Sequence, residues 1–185
     1  MNLAAGISAH QDDPLSELRT VSRRIHEDVD QAFGRFDLGE RNSYGRFLQA
    51  HARVLPAVEH VLLRYDTLPS WSPRGPLLLA DLEQLGLSVP DSLPVQLPQG
   101  DAAALGALYV LEGSRLGGRV LSRQVEAGLP HAYLSAGHEK GSWPAFLGEL
   151  QARLKAESPQ GRQSAMEGVV KTFELFRESA AGDQT

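Results

Sequence analysis

The sequence contains no cysteine, and this absence excludes several kinds of chemistry. Without a thiol there can be no disulfide framework, no thiolate-ligated metal and no cysteine nucleophile. Nothing in the composition therefore argues for an oxidising compartment. We expect a cytoplasmic protein.

Long apolar runs and a surplus of positive charge are also missing. The longest apolar runs, such as residues 76–80, fall far short of the roughly 20 residues that a membrane span needs. The first residues lack a basic start followed by an apolar block, so they do not resemble a targeting signal. With 18 basic and 23 acidic residues the net charge is -5, which disfavours nucleic-acid binding. We predict no membrane and no nucleic-acid partner.

The alternation of apolar and polar residues that marks a β-strand is hard to find. Apolar residues instead recur at steps of three and four, which is typical of amphipathic helices. A length of 185 residues suits one domain. The sequence therefore predicts a single all-α domain over residues 1–185, with residues 1–12 and 180–185 as flexible tails.

Capping residues and helix breakers predict the bounds of the helices. The first helix should begin after Asp12 or Asp13 with Pro14 in its first turn, and end near Phe33. Its inward stripe should consist of Leu15, Leu18, Ser22, His26, Val29 and Phe33. A second helix should follow Asn42 or Ser43 and bend at Pro56. Further helices are predicted over residues 77–85, 101–127, 142–157 and 161–179.

The long helix over residues 101–127 contains four glycines, Gly106, Gly113, Gly117 and Gly118. Each glycine destabilises a helix interior by roughly 0.5 to 1 kcal/mol relative to alanine, or roughly 2 to 4 kcal/mol together. Such a penalty indicates that something must approach the backbone closely. Either a neighbouring helix packs there or a flat ligand lies against the bare main chain.

Histidine provides a second signal, because His26 falls on the inward stripe of the first helix. A neutral imidazole there is either a buried hydrogen-bonded group or a metal ligand. No Glu-x-x-His pair occurs, which argues against a ferritin-like di-iron site. The zinc-protease, nucleophile-elbow and phosphate-loop motifs are absent as well.

Two stretches resemble a known family. Residues 108–118, Leu-Tyr-Val-Leu-Glu-Gly-Ser-Arg-Leu-Gly-Gly, resemble the distal-helix signature of haem oxygenases, particularly the short bacterial ones, some of which accompany bacteriophytochromes. Residues 18–27, Leu-Arg-x-x-x-x-Arg-x-His-Glu, resemble the proximal helix of that family. The resemblance implies a multi-helix fold in which haem lies between a proximal and a distal helix.

The resemblance also implies a reaction, in which haem, dioxygen and electrons give biliverdin, carbon monoxide and ferrous iron. Haem would be both substrate and cofactor. His26 would bind the iron, and its second ring nitrogen should find an acceptor in Glu27, Glu59 or a water. Gly113 and Gly117 would place bare backbone against the distal face of the haem.

The remaining candidate residues follow from the same motifs. Ser114 stands where the animal enzymes carry an aspartate that anchors water, and it would either order a water or bond back to the helix. Arg19 and Tyr109 match positions that bind the haem propionates, and Gly118 completes the haem contact. Arg119 and Arg123 are weaker candidates for the propionates.

Two other functions are compatible with the sequence. Ser114 leaves open a protein of the same fold that binds, stores or senses haem without cleaving it. The other alternative is a haem-free member of the wider superfamily that handles a different small molecule. For the enzyme, the resemblance implies dioxygen, an electron donor such as ferredoxin or a flavin reductase, and a bacteriophytochrome as biliverdin acceptor.

Overall fold

A computed structural model describes residues 13–182, and every regular element in that range is helical. The prediction of an all-α fold is confirmed. The elements are α1 (Pro14–Phe33), α2 (Arg41–Ala52), α3 (Leu55–Leu62), α4 (Gly75–Gln84), α5 (Asp101–Leu121), a 3-10 helix (Ser122–Gln124), α6 (Ala132–Ser135), α7 (Ser142–Ala156) and α8 (Pro159–Ala181).

Two predicted helices differ from the observed ones. The predicted second helix is interrupted rather than bent, because α2 ends at Ala52 and α3 begins at Leu55. Pro56 has no N–H to donate, so it fits the first turn of a new helix better than a helix interior. The long helix α5 ends at Leu121, six residues earlier than predicted, and a 3-10 helix takes over before Gly128.

The cap of α2 is also not the predicted one. The side chain of Glu40 accepts from the backbone N–H groups of Asn42 and Ser43, at 2.8 and 2.7 Å. Neither Asn42 nor Ser43 is therefore the cap, and both lie inside the first turn. Glutamate is an uncommon cap, which explains why the usual capping preference predicted a residue two or three positions further along the chain.

The long helices α5 and α8 form the centre of the molecule and pack at very short range. A Cβ added to Gly106 would lie 2.0 Å from the carbonyl oxygen of Ala165. The reverse contact places a Cβ on Gly168 only 2.1 Å from the carbonyl oxygen of Ala103. The two backbones therefore touch at their crossing, and only glycine permits that approach.

Helix α1 also packs along α8, but α1 and α5 make almost no contact with each other. The space that they leave between them holds the candidate site. Helix α8 continues to Ala181 with Ala180 fully buried, so residues 180 and 181 do not belong to the predicted C-terminal tail, and residues 183–185 lie outside the described residues. Residues 1–12, the other predicted tail, lie outside the described residues. No helix within residues 13–182 is long and apolar enough to cross a membrane.

Candidate functional site

A cavity of about 920 Å³ separates α1 from α5. Six of the seven principal candidate residues line it: His26 from α1, and Tyr109, Gly113, Ser114, Gly117 and Gly118 from α5. The seventh, Arg19, is exposed on α1 and lies outside the cavity lining. The two motifs, nearly 90 residues apart in the chain, therefore form opposite walls of one site.

His26 lies on the α1 wall with 55% of its side chain exposed, so it is not buried among core residues. Its Nδ1 is 3.0 Å from Oδ2 of Asp30, one helical turn further along. The expected acceptor was Glu27, Glu59 or a water, and the structure instead places Asp30 beside Nδ1. Residues four apart share a helix face, so the spacing of His26 and Asp30 contains a signal that the sequence analysis missed.

The α5 wall presents bare backbone to the cavity. A Cβ added to Gly117 would have no neighbour within 4 Å, and one added to Gly113 would touch only Trp143, at 3.6 Å. On the same wall Leu116 is 45% exposed and Val120 is 58% exposed. Apolar side chains exposed inside a concave site are typical of a surface that an apolar ligand covers.

The surroundings of Gly118 differ from those of Gly113 and Gly117, because Gly118 lies close to another backbone segment. It lines the cavity, but a Cβ on it would lie 3.0 Å from the carbonyl oxygen of Leu134. The close contact there is with the backbone of α6. The absence of a side chain at Gly118 therefore also serves packing.

Ser114 lies beside a buried arginine that the sequence analysis did not identify. The Ser114 hydroxyl donates to the carbonyl oxygen of Leu111 at 2.7 Å, so it does bond back to the helix. It also accepts a hydrogen bond from Nη2 of Arg74, which donates as well to the oxygen of Leu111 at 3.0 Å. A positive charge thus stands next to Ser114.

Arg74 is only 3% exposed and is held on several sides. Its guanidinium carbon lies 5.0 Å from the ring centre of Tyr133, a cation–π arrangement. The carboxylate of Glu59 accepts from the backbone N–H groups of Arg74 and Gly75, at 2.6 and 2.8 Å. Burial raises the pKa of Glu59, and these N–H donors together with the charge of Arg74 oppose that rise.

The cations near the cavity are distributed differently from the prediction. Arg23 lines the cavity one turn from His26, while Arg19 lies outside the lining. Arg119 and Arg123 are exposed and are not part of the lining either. Tyr109 does line the cavity, and its ring stacks against Trp143 with 6.1 Å between ring centres.

The cavity lining also includes His51 from α2. Its ring lies between aromatic residues, 4.4 Å from Phe33 and 4.3 Å from Phe47 between ring centres. Its Nδ1 lies 2.9 Å from the carbonyl oxygen of Phe47. Burial, and secondarily the charge of Arg74, lowers the pKa of His51 to about 4.

This lowered pKa predicts a specific loss of stability in acid. Unfolded His51 takes up a proton near pH 6.5, whereas folded His51 does so only near pH 4, so lowering the pH between those values favours unfolding. The free energy of unfolding should fall by about 3 kcal/mol over that interval from this residue, at about 1.4 kcal/mol per pH unit. Chemical denaturation of the wild type and His51→Gln at several pH values measures this contribution.

The wild type and His51→Gln should differ in slope between pH 4 and 6.5. Parallel curves for the two proteins would refute the prediction.

Comparison with known proteins gives one match at the level of sequence. A protein named heme oxygenase from Xanthomonas campestris pv. campestris (strain 8004) is 33% identical over 164 residues. The alignment covers 83% of this chain and 97% of the relative. The chain belongs to the haem oxygenase family. No family model matches it.

A solved structure of the heme oxygenase from Neisseria meningitidis, in its NO- and CO-bound forms, has the same fold. The TM-score is 0.74 over 91% of this chain and 92% of that chain, at 23% sequence identity. The haem oxygenase fold expected from the sequence is therefore confirmed. At this identity the likeness concerns the fold alone.

The residues of this haem oxygenase family member fit the haem group. A flat macrocycle needs two facing walls, and the cavity provides one that carries a histidine and one without side chains at Gly113 and Gly117. Because Nδ1 of His26 is paired with Asp30, Nε2 remains as the nitrogen able to bind iron. Among residues 13–182 no three His, Asp or Glu side chains cluster as a metal site. A single histidine is sufficient for an iron that a porphyrin already holds.

Proposed function

We propose that this chain binds haem in the cavity between α1 and α5 and cleaves it to biliverdin, carbon monoxide and ferrous iron. The reaction uses dioxygen and external electrons, and haem is both cofactor and substrate. The observation that carries the proposal is the pairing of His26 with the bare backbone at Gly113 and Gly117 across one apolar cavity. Membership of the haem oxygenase family supports the reaction.

Each wall has its own task in this proposal. His26 holds the iron through Nε2, and Asp30 accepts from Nδ1, which fixes the orientation of the ring and its tautomer. Gly113 and Gly117 allow the main chain of α5 to lie against the opposite face, while Leu116 keeps that face apolar. When bound, haem supplies the iron that activates dioxygen and the ring carbon that is oxidised.

Arg74 and Ser114 provide the polar part of the site. The guanidinium of Arg74 fixes the Ser114 hydroxyl at the edge of the cavity, beside the glycines of α5. A buried cation held in place stabilises negative charge where water is excluded, whereas the proton of the Ser114 hydroxyl is already donated to the carbonyl oxygen of Leu111. Arg74 thus contributes a positive charge next to Ser114. The animal enzymes instead carry a negatively charged aspartate at the position of Ser114.

The propionates of haem need positive charge at the mouth of the cavity. We assign this role to Arg23, which lines the cavity, and Tyr109 from the second motif adds an uncharged donor. Arg19 matches the first motif but lies outside the lining, so it is not assigned. Arginine suits a carboxylate because its planar fork can donate two parallel hydrogen bonds. The proposal further includes a cytoplasmic location, ferredoxin or a flavin reductase as electron donor, and a bacteriophytochrome as biliverdin acceptor.

The proposal is tested by adding haemin to the purified protein and recording its visible spectrum. A Soret band that saturates at one equivalent is expected. Addition of ascorbate or a ferredoxin system in air should then remove the Soret band, with growth of the broad red absorption of biliverdin. A Soret band that persists under these conditions would refute the cleavage reaction. Absence of the band on titration would refute haem binding.

Filling the α5 wall should impair the reaction more than it impairs haem uptake. In Gly117→Leu a large side chain occupies the space where no atom lies within 4 Å of an added Cβ. We expect turnover to fall at least about tenfold while the protein still binds haemin, because the added bulk competes with dioxygen for the distal face. Single-turnover kinetics and haemin titration measure the two effects separately.

Gly148 on α7 offers a matched control. It is an exposed glycine inside a helix, and a Cβ there also meets no atom within 4 Å. Gly148→Leu should leave both haem uptake and turnover as in the wild type. Equal turnover in the Gly117 and Gly148 variants would contradict the proposed position of the haem.

A further inference from the structure

Three charged or titratable side chains form a buried cluster on α5 that the proposed function does not use. Glu112 and Arg115 lie on α5, His138 lies between α6 and α7, and none of the three side chains is more than 10% exposed. Nε of Arg115 donates to Oε1 of Glu112 at 2.8 Å. The same guanidinium donates to the carbonyl oxygens of Ala136, at 3.2 Å, and of Ser72. Arg115 therefore holds the chain just before His138 against α5.

His138 contacts both polar parts of Glu112. Its Nε2 lies 2.9 Å from the carbonyl oxygen of Glu112, which can only accept, so Nε2 carries a hydrogen and donates it. Its Nδ1 lies 3.5 Å from Oε2 of the Glu112 side chain. Glu112 thus fixes both the position and the orientation of the His138 ring. In the sequence Glu112 directly precedes Gly113, the first glycine of the wall that is proposed to face haem.

The His138 ring in turn packs on Trp143, the second residue of α7. Their ring centres are 5.3 Å apart, with an angle of 33° between the ring planes. Trp143 also stacks with Tyr109 and Phe146, at 6.1 and 5.6 Å between ring centres. Aromatic contacts at such separations favour particular ring orientations. Trp143 is therefore packed among three rings, one of which, His138, is fixed by Glu112.

Trp143 bounds the bare stretch of α5 at one end. Its Cη2 atom would lie 3.6 Å from a Cβ on Gly113, whereas a Cβ on Gly117, one turn further on, would meet no atom within 4 Å. All three residues line the cavity. The walls formed by α1 and α5 confine the two faces of a flat ligand, but they do not prevent the ligand from sliding or rotating in its own plane. A large side chain at the end of one wall restricts that movement.

We propose that His138 is a positioning residue that holds Trp143 beside Gly113 and thereby determines how the macrocycle is rotated in its plane. This rotation decides which ring carbon is oxidised. His138 is not part of the cavity lining, so it acts through Trp143. The support of Trp143 by His138 rests on the contacts above alone, while its effect on the site of cleavage rests on the proposed function.

The first experiment needs no haem and uses the fluorescence of Trp143. The chain contains two tryptophans, so Trp71→Phe leaves Trp143 as the single emitter. In that background His138→Leu should shift the emission to longer wavelength and increase quenching by acrylamide, because Trp143 loses the ring that orders it. His138→Gln should have the same effect, since an amide can donate to Glu112 but cannot replace the aromatic contact. Unchanged emission and quenching in His138→Gln would overturn the proposal, and this variant also decides if His138→Leu does not fold.

His131 supplies a matched control in the same connection between α5 and α7. It is exposed, its Nδ1 lies 2.9 Å from the carbonyl oxygen of Leu129, and it is not part of the cavity lining. His131→Leu in the Trp71→Phe background should therefore leave emission and quenching unchanged. A change as large as that in His138→Leu would show a general loosening of the connection and would overturn the specific role of His138.

The second experiment separates the biliverdin isomers that the haem-loaded protein forms. Loss of one aromatic contact changes the ratio of two competing arrangements by about 2- to 10-fold. We expect the minor isomers to rise by that factor relative to the main isomer in His138→Leu, and at least as much in Trp143→Leu. His131→Leu should keep the isomer ratio of the wild type.

A double variant shows whether His138 acts through Trp143. His138→Leu combined with Trp143→Leu should give the isomer ratio of Trp143→Leu alone, because the effects of residues that act through one another are not additive. Additive effects, or the wild-type ratio in both single variants, would overturn the role of His138 in selecting the ring carbon. A wild type that does not cleave haem would instead refute the proposed function, and the fluorescence experiment would still decide whether His138 holds Trp143.

Discussion

Replacing His26 with alanine is expected to abolish turnover and to remove the axial bond to the haem iron. Loss of a hydrogen-bond partner to a metal ligand typically reduces activity by about 10- to 100-fold, and loss of the ligand itself should exceed that. Haemin should still enter the variant, because the apolar walls are intact, but its Soret band should shift away from that of a histidine complex. Haemin titration and single-turnover assays measure the two effects.

The control for this experiment is His60→Ala, which removes an exposed histidine on α3 outside the cavity. It should bind haemin and turn it over as the wild type does. Added imidazole should restore the Soret band of His26→Ala, since the free base can occupy the same position. An unaltered spectrum in His26→Ala would exclude His26 as the ligand.

The largest effect on stability is expected at Gly106. In Gly106→Ala the new methyl group would lie 2.0 Å from the carbonyl oxygen of Ala165, so the backbones of α5 and α8 must separate. Overpacking of this kind typically destabilises a protein by about 1 to 3 kcal/mol, and a rigid backbone atom as the obstacle suggests the upper end. The better helix propensity of alanine offsets less than about 1 kcal/mol of this. We therefore expect a net loss of about 2 kcal/mol, measured by chemical denaturation.

Gly117→Ala is the matched control, because it is the same substitution in the same helix. Its methyl group would enter open space, so the gain in helix propensity should leave the protein as stable as the wild type or slightly more so. A similar stability of the Gly106 and Gly117 variants would contradict the close contact between α5 and α8.

These two glycines show why the sequence left two explanations open. The pattern of glycines in α5 predicted a close approach to the backbone, either by a helix or by a flat ligand. Helix packing explains Gly106, which meets α8, whereas Gly113 and Gly117 face the cavity, where we propose that the flat ligand lies. The local sequence is helical at all of these positions, so only the packing of the other helices distinguishes them.

Helix bounds were predictable where the signals are local. The start of α1 at Pro14 and its end at Phe33 follow from a proline in the first turn and from the apolar stripe. The interruption at Pro56 and the early end of α5 were not predicted. Both depend on how well a continued helix would pack against the rest of the protein. The helix propensity of a single segment carries no information about that packing.

The sequence by itself determined the helical class, the histidine on α1 and the glycine-rich stretch on α5, because helix periodicity and motif spacing are properties of neighbouring residues. Only the tertiary structure decided which polar groups complete the site. Arg74 reaches Ser114 from 40 residues away, and Tyr133 meets His51 across an even longer separation. Such pairs form only when distant segments are brought together by burial of their apolar surfaces, and no local pattern records them.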